Sequence, residues 1–363
     1  MILQCSGNKQ SSESCLRMVR QFTAALVALA LTLPVHPVGA GQAPQQRLAP
    51  QQEDPQFRIR TRSELVVVPV SVKDSAGSLV HDIRAEEFRV FEDGVEQIIA
   101  VFSVEAFPLS AVVLLDNNLS LHAAEQLQQG APAISAGFAE ADEVALMLFD
   151  EYPRAVLGFT RDNDKLYDHL KRMQVGSTFP GQGSGPMTAG PKVNQTSPEA
   201  KVPSRPELSR AARGSKNLDD AIYAAAEMLR GRGRDLRKII FLVSDGANST
   251  NNRVSFEDTI KLLLSADISV YAIGVGQAAI NRGFNPLSRY ARSTGGDVFY
   301  ANTRAELERL FSGVTEQARN QYTLAYAPRG TDRTREYHSI EVRIRRPSLT
   351  LLARDGYYTV PVP

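Results

Sequence analysis

Cysteine is almost absent from the 363-residue chain: there are two, Cys5 and Cys15, both ahead of an apolar run near the start. Loss of that leading segment leaves no disulfide framework, thiolate nucleophile or cysteine-bound metal. Histidine is nearly as scarce. The four beyond residue 40, His81, His122, His169 and His338, have no ligand-like spacing, and no Ser/His/Asp set, HExxH or GxSxG forms around them. Charge of either sign is not in excess, with 41 Lys and Arg against 40 Asp and Glu. That balance excludes the acidic bias of a disordered chain and the basic bias of a general nucleic-acid binder, so no nucleic-acid partner is expected. Long hydrophobic runs are lacking too. Phe22 to Leu33 (FTAALVALALTL) is uncharged but well short of the roughly 20 residues that span a bilayer.

What surrounds that run has the layout of a secretory signal peptide over residues 1–40. Arg17 and Arg20 precede it, and Pro34, Pro37, Gly39 and Ala40 follow. Cleavage is expected after Ala40, with Ala43 as the alternative, and Met18 is an alternative start. The absence of cysteine after the run argues against a lipid-anchored form. Removing Lys9, Glu13, Arg17 and Arg20 with the leader leaves 38 basic and 39 acidic side chains, a net charge of −1. An exported bacterial protein, periplasmic or extracellular, with no transmembrane segment after signal cleavage is the expectation.

Residues 41–63 are rich in Gln and Pro and read as a disordered leader. Residues 64–107 form a small β unit: Leu65 to Val72 is β-branched, and Asp93-Gly94 is a tight turn between strands at 88–91 and 95–104. From 108 to 320, apolar strand-like runs at 111–115, 144–149, 155–159, 239–243, 268–275 and 297–300 alternate with helix-period segments. Those segments fall at 120–141, 162–174, 217–230, 255–266, 284–293 and 303–320. Such alternation predicts an α/β fold, a doubly wound and mostly parallel sheet with helices on both faces. The strands near 144–159 are joined too tightly for a crossover and should pair antiparallel. Residues 176–213 are crowded with Gly, Pro and Ser and read as a flexible insertion. The segment 321–363 returns to β pattern and is expected to pack beside the first β unit.

In an open α/β sheet, ligands bind where loops leave the carboxyl ends of strands near a reversal of strand order. Two such loops carry oxygen ligands suited to a hard cation: Asp116-Asn117-Asn118-Leu119-Ser120 after AVVLL, and Ser244-Asp245-Gly246 after IIFLV. Aspartates at strand ends also serve simply as helix caps and turn formers. With Leu218 and Asp220-Ala221 on a third loop, the AIGVG strand end and Thr294-Gly295-Gly296, these residues resemble the von Willebrand factor type A domain over about 108–320. The closing RDGYY at 354–358 resembles a secreted subgroup described from Acidobacteria.

The resemblance implies a metal-ion-dependent adhesion site holding Mg²⁺ or Mn²⁺, with Asp116, Ser120 and Asp245 at ligand positions. It departs from the family twice. Asn118 replaces the first serine, with an amide oxygen that could still coordinate or hold a metal-bound water, and Lys216 falls where the family has threonine unless the loop slips to offer Ser215 or Asn217. An ammonium at that point would repel a divalent ion, or pair with Asp116 and Asp245 in its place. The implied function is a non-enzymatic, adhesion- or scaffold-type protein that binds a protein partner through an acidic side chain. A structural cell-envelope component with the α/β domain as a spacer is the alternative. A dinucleotide-dependent enzyme is the remote one, resting on Gly274-Val275-Gly276-Gln277-Ala278-Ala279 with Asp297 downstream. The basic run from Arg230 to Lys238 reads as a solvated helix end.

Overall fold

Valine dominates the first strand, and its alternation sets that strand's register. The computed structural model describes residues 65–175, 216–282, 285–330 and 334–359. In β1 (Val66–Lys73) the even-numbered valines face inward and Val67 faces out. β2 (Phe88–Glu92) turns through Asp93 and Gly94, both at positive φ, into β3 (Val95–Gln97). Positive φ at both central positions is what a tight hairpin requires. β4 (Ile99–Ser103) follows directly. The alternating segment comes next, with β5 (Leu109–Asp116), α1 (Leu121–Gly130), β6 (Glu143–Phe149), β7 (Pro153–Thr160) and α2 (Asn163–Arg172). After residue 216 come α3 (Leu218–Arg230), β8 (Arg237–Ser244), α4 (Phe256–Ser265), β9 (Ile268–Gly274) and the single turn α5 (Gln277–Ile280). The chain closes with α6 (Pro286–Ser293), β10 (Val298–Tyr300), α7 (Arg304–Arg319), β11 (Tyr322–Tyr326), β12 (Tyr337–Ile344), β13 (Thr350–Ala353) and β14 (Gly356–Tyr358).

The central sheet has six strands in the order β10-β9-β8-β5-β6-β7, all parallel except for β7 on β6. Every residue of β5 is buried, as a strand covered on both faces must be. Ala111, Val113 and Leu115 pack with α1, α2 and α7, while Val112 and Leu114 pack with α3, α4 and α6. The doubly wound architecture read from the sequence is therefore present, with its antiparallel pair at the β7 edge.

Two four-stranded antiparallel sheets, β13-β1-β11-β4 and β14-β12-β2-β3, join the chain's early and late β segments around a shared core of Val68, Val70, Phe88, Tyr322 and Leu324. They are tied to the central sheet by charged groups. Lys73 pairs with Asp297, which also accepts from Gln317 Nε2 at 3.0 Å, and Arg237 donates to the carbonyl of Ala318 at 2.8 Å and to Thr323 Oγ1 at 3.1 Å.

Four expectations need correction. The strand predicted at 95–104 is two strands in different sheets, broken at the exposed Ile98, and within the β pattern of 321–363 the run Leu349 to Tyr358, read as one strand, breaks at Arg354 and Asp355. The helix predicted over 120–141 stops at Gly130 and continues as a tighter 3₁₀ stretch, Ala131–Gly137, because Pro132 offers no backbone donor. The basic run is not a solvated helix end throughout: Arg232 holds Glu143, Arg237 caps α7, and the buried Lys238 donates to Ala266 O at 2.8 Å. The signal segment, the leader and the insertion at 176–213 lie outside the described residues. Among the described residues, no helix is long and apolar enough to cross a membrane.

Candidate functional site

Strand order reverses between β5 and β8, and the carboxyl ends of both deliver an aspartate there. Asp116, the last residue of β5, is fully buried. Its Oδ1 accepts the Asn118 amide at 2.8 Å, which makes the loop after β5 a tight turn around the carboxylate. Its Oδ2 accepts the Ser244 hydroxyl at 2.8 Å, and Ser244 Oγ in turn accepts the Gly246 amide at 3.1 Å. Asp245, next along, turns its Oδ1 to the Ala247 amide at 3.0 Å. Gly246 sits at φ 74°, a backbone conformation that a residue with Cβ resists, which accounts for glycine in Ser-Asp-Gly.

Lys216 occupies the space between these aspartates. Its Nζ lies 3.0 Å from Asp116 Oδ2 and 2.8 Å from Asp245 Oδ2, with side-chain exposures of 7% for Lys216, 0% for Asp116 and 12% for Asp245. Burial pushes the Asp116 carboxyl above its ordinary range, as does the charge of Asp245. Lys216 and the donors Asn118 and Ser244 act in the other direction.

The lysine is held by its own backbone, whose carbonyl accepts the Ser249 amide at 2.7 Å. The next residue faces elsewhere: Asn217 donates its side-chain amide to Glu151 O at 2.9 Å and its backbone amide to Asp150 O at 3.0 Å. Of the two slipped registers, Asn217 is thus turned away from the aspartates and Ser215 lies outside the described residues. Behind the loop, Asp219 on the first turn of α3 accepts the Tyr290 hydroxyl at 2.7 Å and Asn248 Nδ2 at 2.9 Å.

Among the residues singled out from the sequence, Asp116, Asp245 and Lys216 meet directly, and Asn118 contributes its backbone amide to Asp116. Ser120 is exposed at the N-cap of α1, and its hydroxyl makes no capping bond. A Cβ on Gly276 would come within 3.7 Å of that hydroxyl and 3.9 Å of the Asp245 Cβ, so the turn after β9 closes over both loops. Sequence reasoning placed Ser244 in the strand-end loop but gave it no role of its own, and it is the buried hydroxyl that couples the two aspartate loops. Its signal was the serine of Ser-Asp-Gly itself.

The donor set does not suit a divalent cation as arranged. Two carboxylates converge, but a buried ammonium already lies within hydrogen-bond distance of both, and a metal beside it would meet like charge with little water to screen it. The glycines of the dinucleotide-like motif have a packing reason. A Cβ on Gly274 would fall 2.7 Å from the Tyr300 ring, and the helix that follows has four residues.

An open, doubly wound sheet with paired aspartates at its switch point defines an α/β module with a candidate site at its strand ends. Residues 194–313 match the family model described as the von Willebrand factor type A domain, and the chain carries a domain of that family. No curated protein sequence matches the chain. Solved structures of similar fold include the conserved hypothetical protein BatB from Bacteroides thetaiotaomicron, 12% identical, with 58% of this chain and 98% of that one covered at a TM-score of 0.39. Another is proximal thread matrix protein 1 from the mussel byssus with a zinc-occupied MIDAS motif, 15% identical, covering 62% of this chain and 49% of that one at a TM-score of 0.42. A third is a von Willebrand factor type A protein from Catenulispora acidiphila, 10% identical, covering 83% and 75% at a TM-score of 0.43.

Proposed function

We propose that the protein is an exported, non-enzymatic binding protein in which Lys216 stands in for the divalent cation of a metal-ion-dependent adhesion site. The observation that carries this reading is the Lys216 ammonium bridging Asp116 and Asp245. Domains of this family commonly mediate protein–protein contact and often do so through Mg²⁺ or Mn²⁺. Here the ammonium supplies fixed positive charge at the same strand ends. Two of its three donors are committed to the aspartates, and the third is the natural counterpart of a metal's open position, donating to an acidic side chain of the partner. Apolar side chains at the start of α1, the end of α5 and the β6–β7 turn support a protein partner: Leu121 is 78% exposed, Ile280 72% and Tyr152 51%.

The test is affinity capture from the exported fraction of the source cells in the presence of chelator, using wild type, Leu121→Asp and Ile280→Asp. A partner held in chelator and released by both substitutions is the expected result. A partner that binds only when Mg²⁺ or Mn²⁺ is supplied, or one indifferent to both substitutions, overturns the reading.

A further inference from the structure

A second polar cluster lies in the β14-β12-β2-β3 sheet, apart from the strand-end loops. β2 and β12 pair antiparallel with Glu92 opposite Ile340, which puts Glu92, Ile340 and His338 on one inward face. Glu92 is fully buried, yet neither of its carboxylate oxygens has a hydrogen-bond partner. A buried acid left in this state is costly and calls for a water, an ion or a proton to explain it. His338 is buried beside it, its ring stacked on Tyr357 with centroids 5.3 Å apart. Its Nδ1 lies 3.7 Å from Glu92 Oε1 and 2.8 Å from Asp93 Oδ2. The Tyr326 hydroxyl is buried beside Glu92 and is pushed above its ordinary range by burial first, and then by its approach to the Glu92 carboxylate and that group's charge. Arg354 reaches the same region but commits its terminal nitrogens to Asp267 and the Val67 carbonyl.

We propose that Glu92, Asp93 and His338 form a binding site for a single zinc ion, distinct from the strand-end site and assigned by neither the fold nor the family. Among the described residues this is the one group of three such side chains whose ligand atoms all lie within 4.8 Å of one another. Imidazole with two carboxylates is a donor set that zinc accepts at about 2.0–2.2 Å, which for a tetrahedron puts ligand atoms about 3.3 Å apart. The observed 2.8 and 3.7 Å bracket that value. Zinc here meets the buried carboxylate of Glu92 and takes Nδ1 of His338, whose ring is stacked on Tyr357, and the proton that Nδ1 shares with Asp93 Oδ2 is released to solvent on binding. With Glu92 and His338 shielded and only Asp93 partly exposed, the site is closed. Its role is to clip the β2–β3 hairpin to β12, as a structural metal does.

The protein is stripped with chelator, dialysed against Zn²⁺ and assayed for bound metal, with melting temperature and the visible spectrum of the Co²⁺ form as second readouts. Wild type is expected to retain one zinc and to melt higher with it, and its Co²⁺ form to show the intense bands of low coordination. Glu92→Gln, which keeps the shape of the side chain, and His338→Gln are expected to lose the ion and the temperature rise, while Asp245→Asn keeps both. Should His338→Gln fail to fold, Glu92→Gln decides, since it removes a buried charge and its melting in chelator reports folding directly. Wild type without bound zinc, Glu92→Gln with a full equivalent, or loss of the zinc in Asp245→Asn each overturns the proposal.

Discussion

Replacing Lys216 with threonine separates a lysine that neutralises the strand-end site from one that merely fills it. Asp116 and Asp245 each contact the same nitrogen, at 3.0 and 2.8 Å, so the carboxylate oxygens it bridges are at most about 6 Å apart. Without the ammonium, two unit charges at that distance repel by about 3 kcal/mol at an effective dielectric constant of about 20. Asp116 has no exposure through which water could relieve it. Removing one partner from a buried ion pair typically costs about 3–5 kcal/mol, which agrees with this figure. For a protein of this size, each kcal/mol moves the melting temperature by about 2–4 °C. Lys216→Thr in chelator is therefore expected to melt on the order of 10 °C below wild type. Threonine also vacates the space of the ammonium and adds a hydroxyl, so Mg²⁺ should now bind. At a hundredfold excess over its dissociation constant it should restore about 2.7 kcal/mol. Lys216→Met, of similar length and uncharged, is expected to lose stability and recover nothing. The assay is thermal and urea unfolding across a Mg²⁺ titration. A Lys216→Thr protein within 1 kcal/mol of wild type would refute the ion-pair argument, and a destabilised one that ignores Mg²⁺ would refute the stand-in argument.

Other perturbations test the scaffold around the site. The Arg232 guanidinium hydrogen-bonds Glu143 and holds its carboxyl below the ordinary range, so this pair's contribution is present above about pH 4.3 and is lost as pH falls through the lower folded value. The stability gap between wild type and Glu143→Gln, followed by urea unfolding from pH 7 to pH 3, should hold at neutrality and close in acid. Tyr290→Phe leaves Asp219 without its 2.7 Å donor and should cost about 1–3 kcal/mol in the same assay. Gly274→Ala drives a methyl to 2.7 Å from the Tyr300 ring and should cost about 1–3 kcal/mol. A neutral outcome would show that Tyr300 is free to move.

The parallel sheet was legible because burial on both faces demands the same apolar residues everywhere. AVVLL and IIFLV can hardly be anything else, and the acids that end them mark where the strands leave the core. Lys216 was legible for a related reason: Leu218 and Ala221 must point into the sheet, and that anchors the register of the loop before them. The strand breaks were not equally legible. Ile98 lies in a run whose propensity for extended structure is unbroken, and the chain changes sheet there because of what it packs against; at 354–356 the Asp355-Gly356 pair carries a turn signal inside a run read as one strand. The role of Ser244, though the residue was named in its loop, was not legible since it is a hydrogen bond to an aspartate 128 positions away. Scattered spacing was read as evidence against any histidine site, yet antiparallel pairing of β2 with β12 puts His338 beside Asp93 from 245 positions along the chain. Spacing along the chain excludes sites built on one helix or one loop. It has no power against sites assembled across a sheet, where register decides which side chains meet.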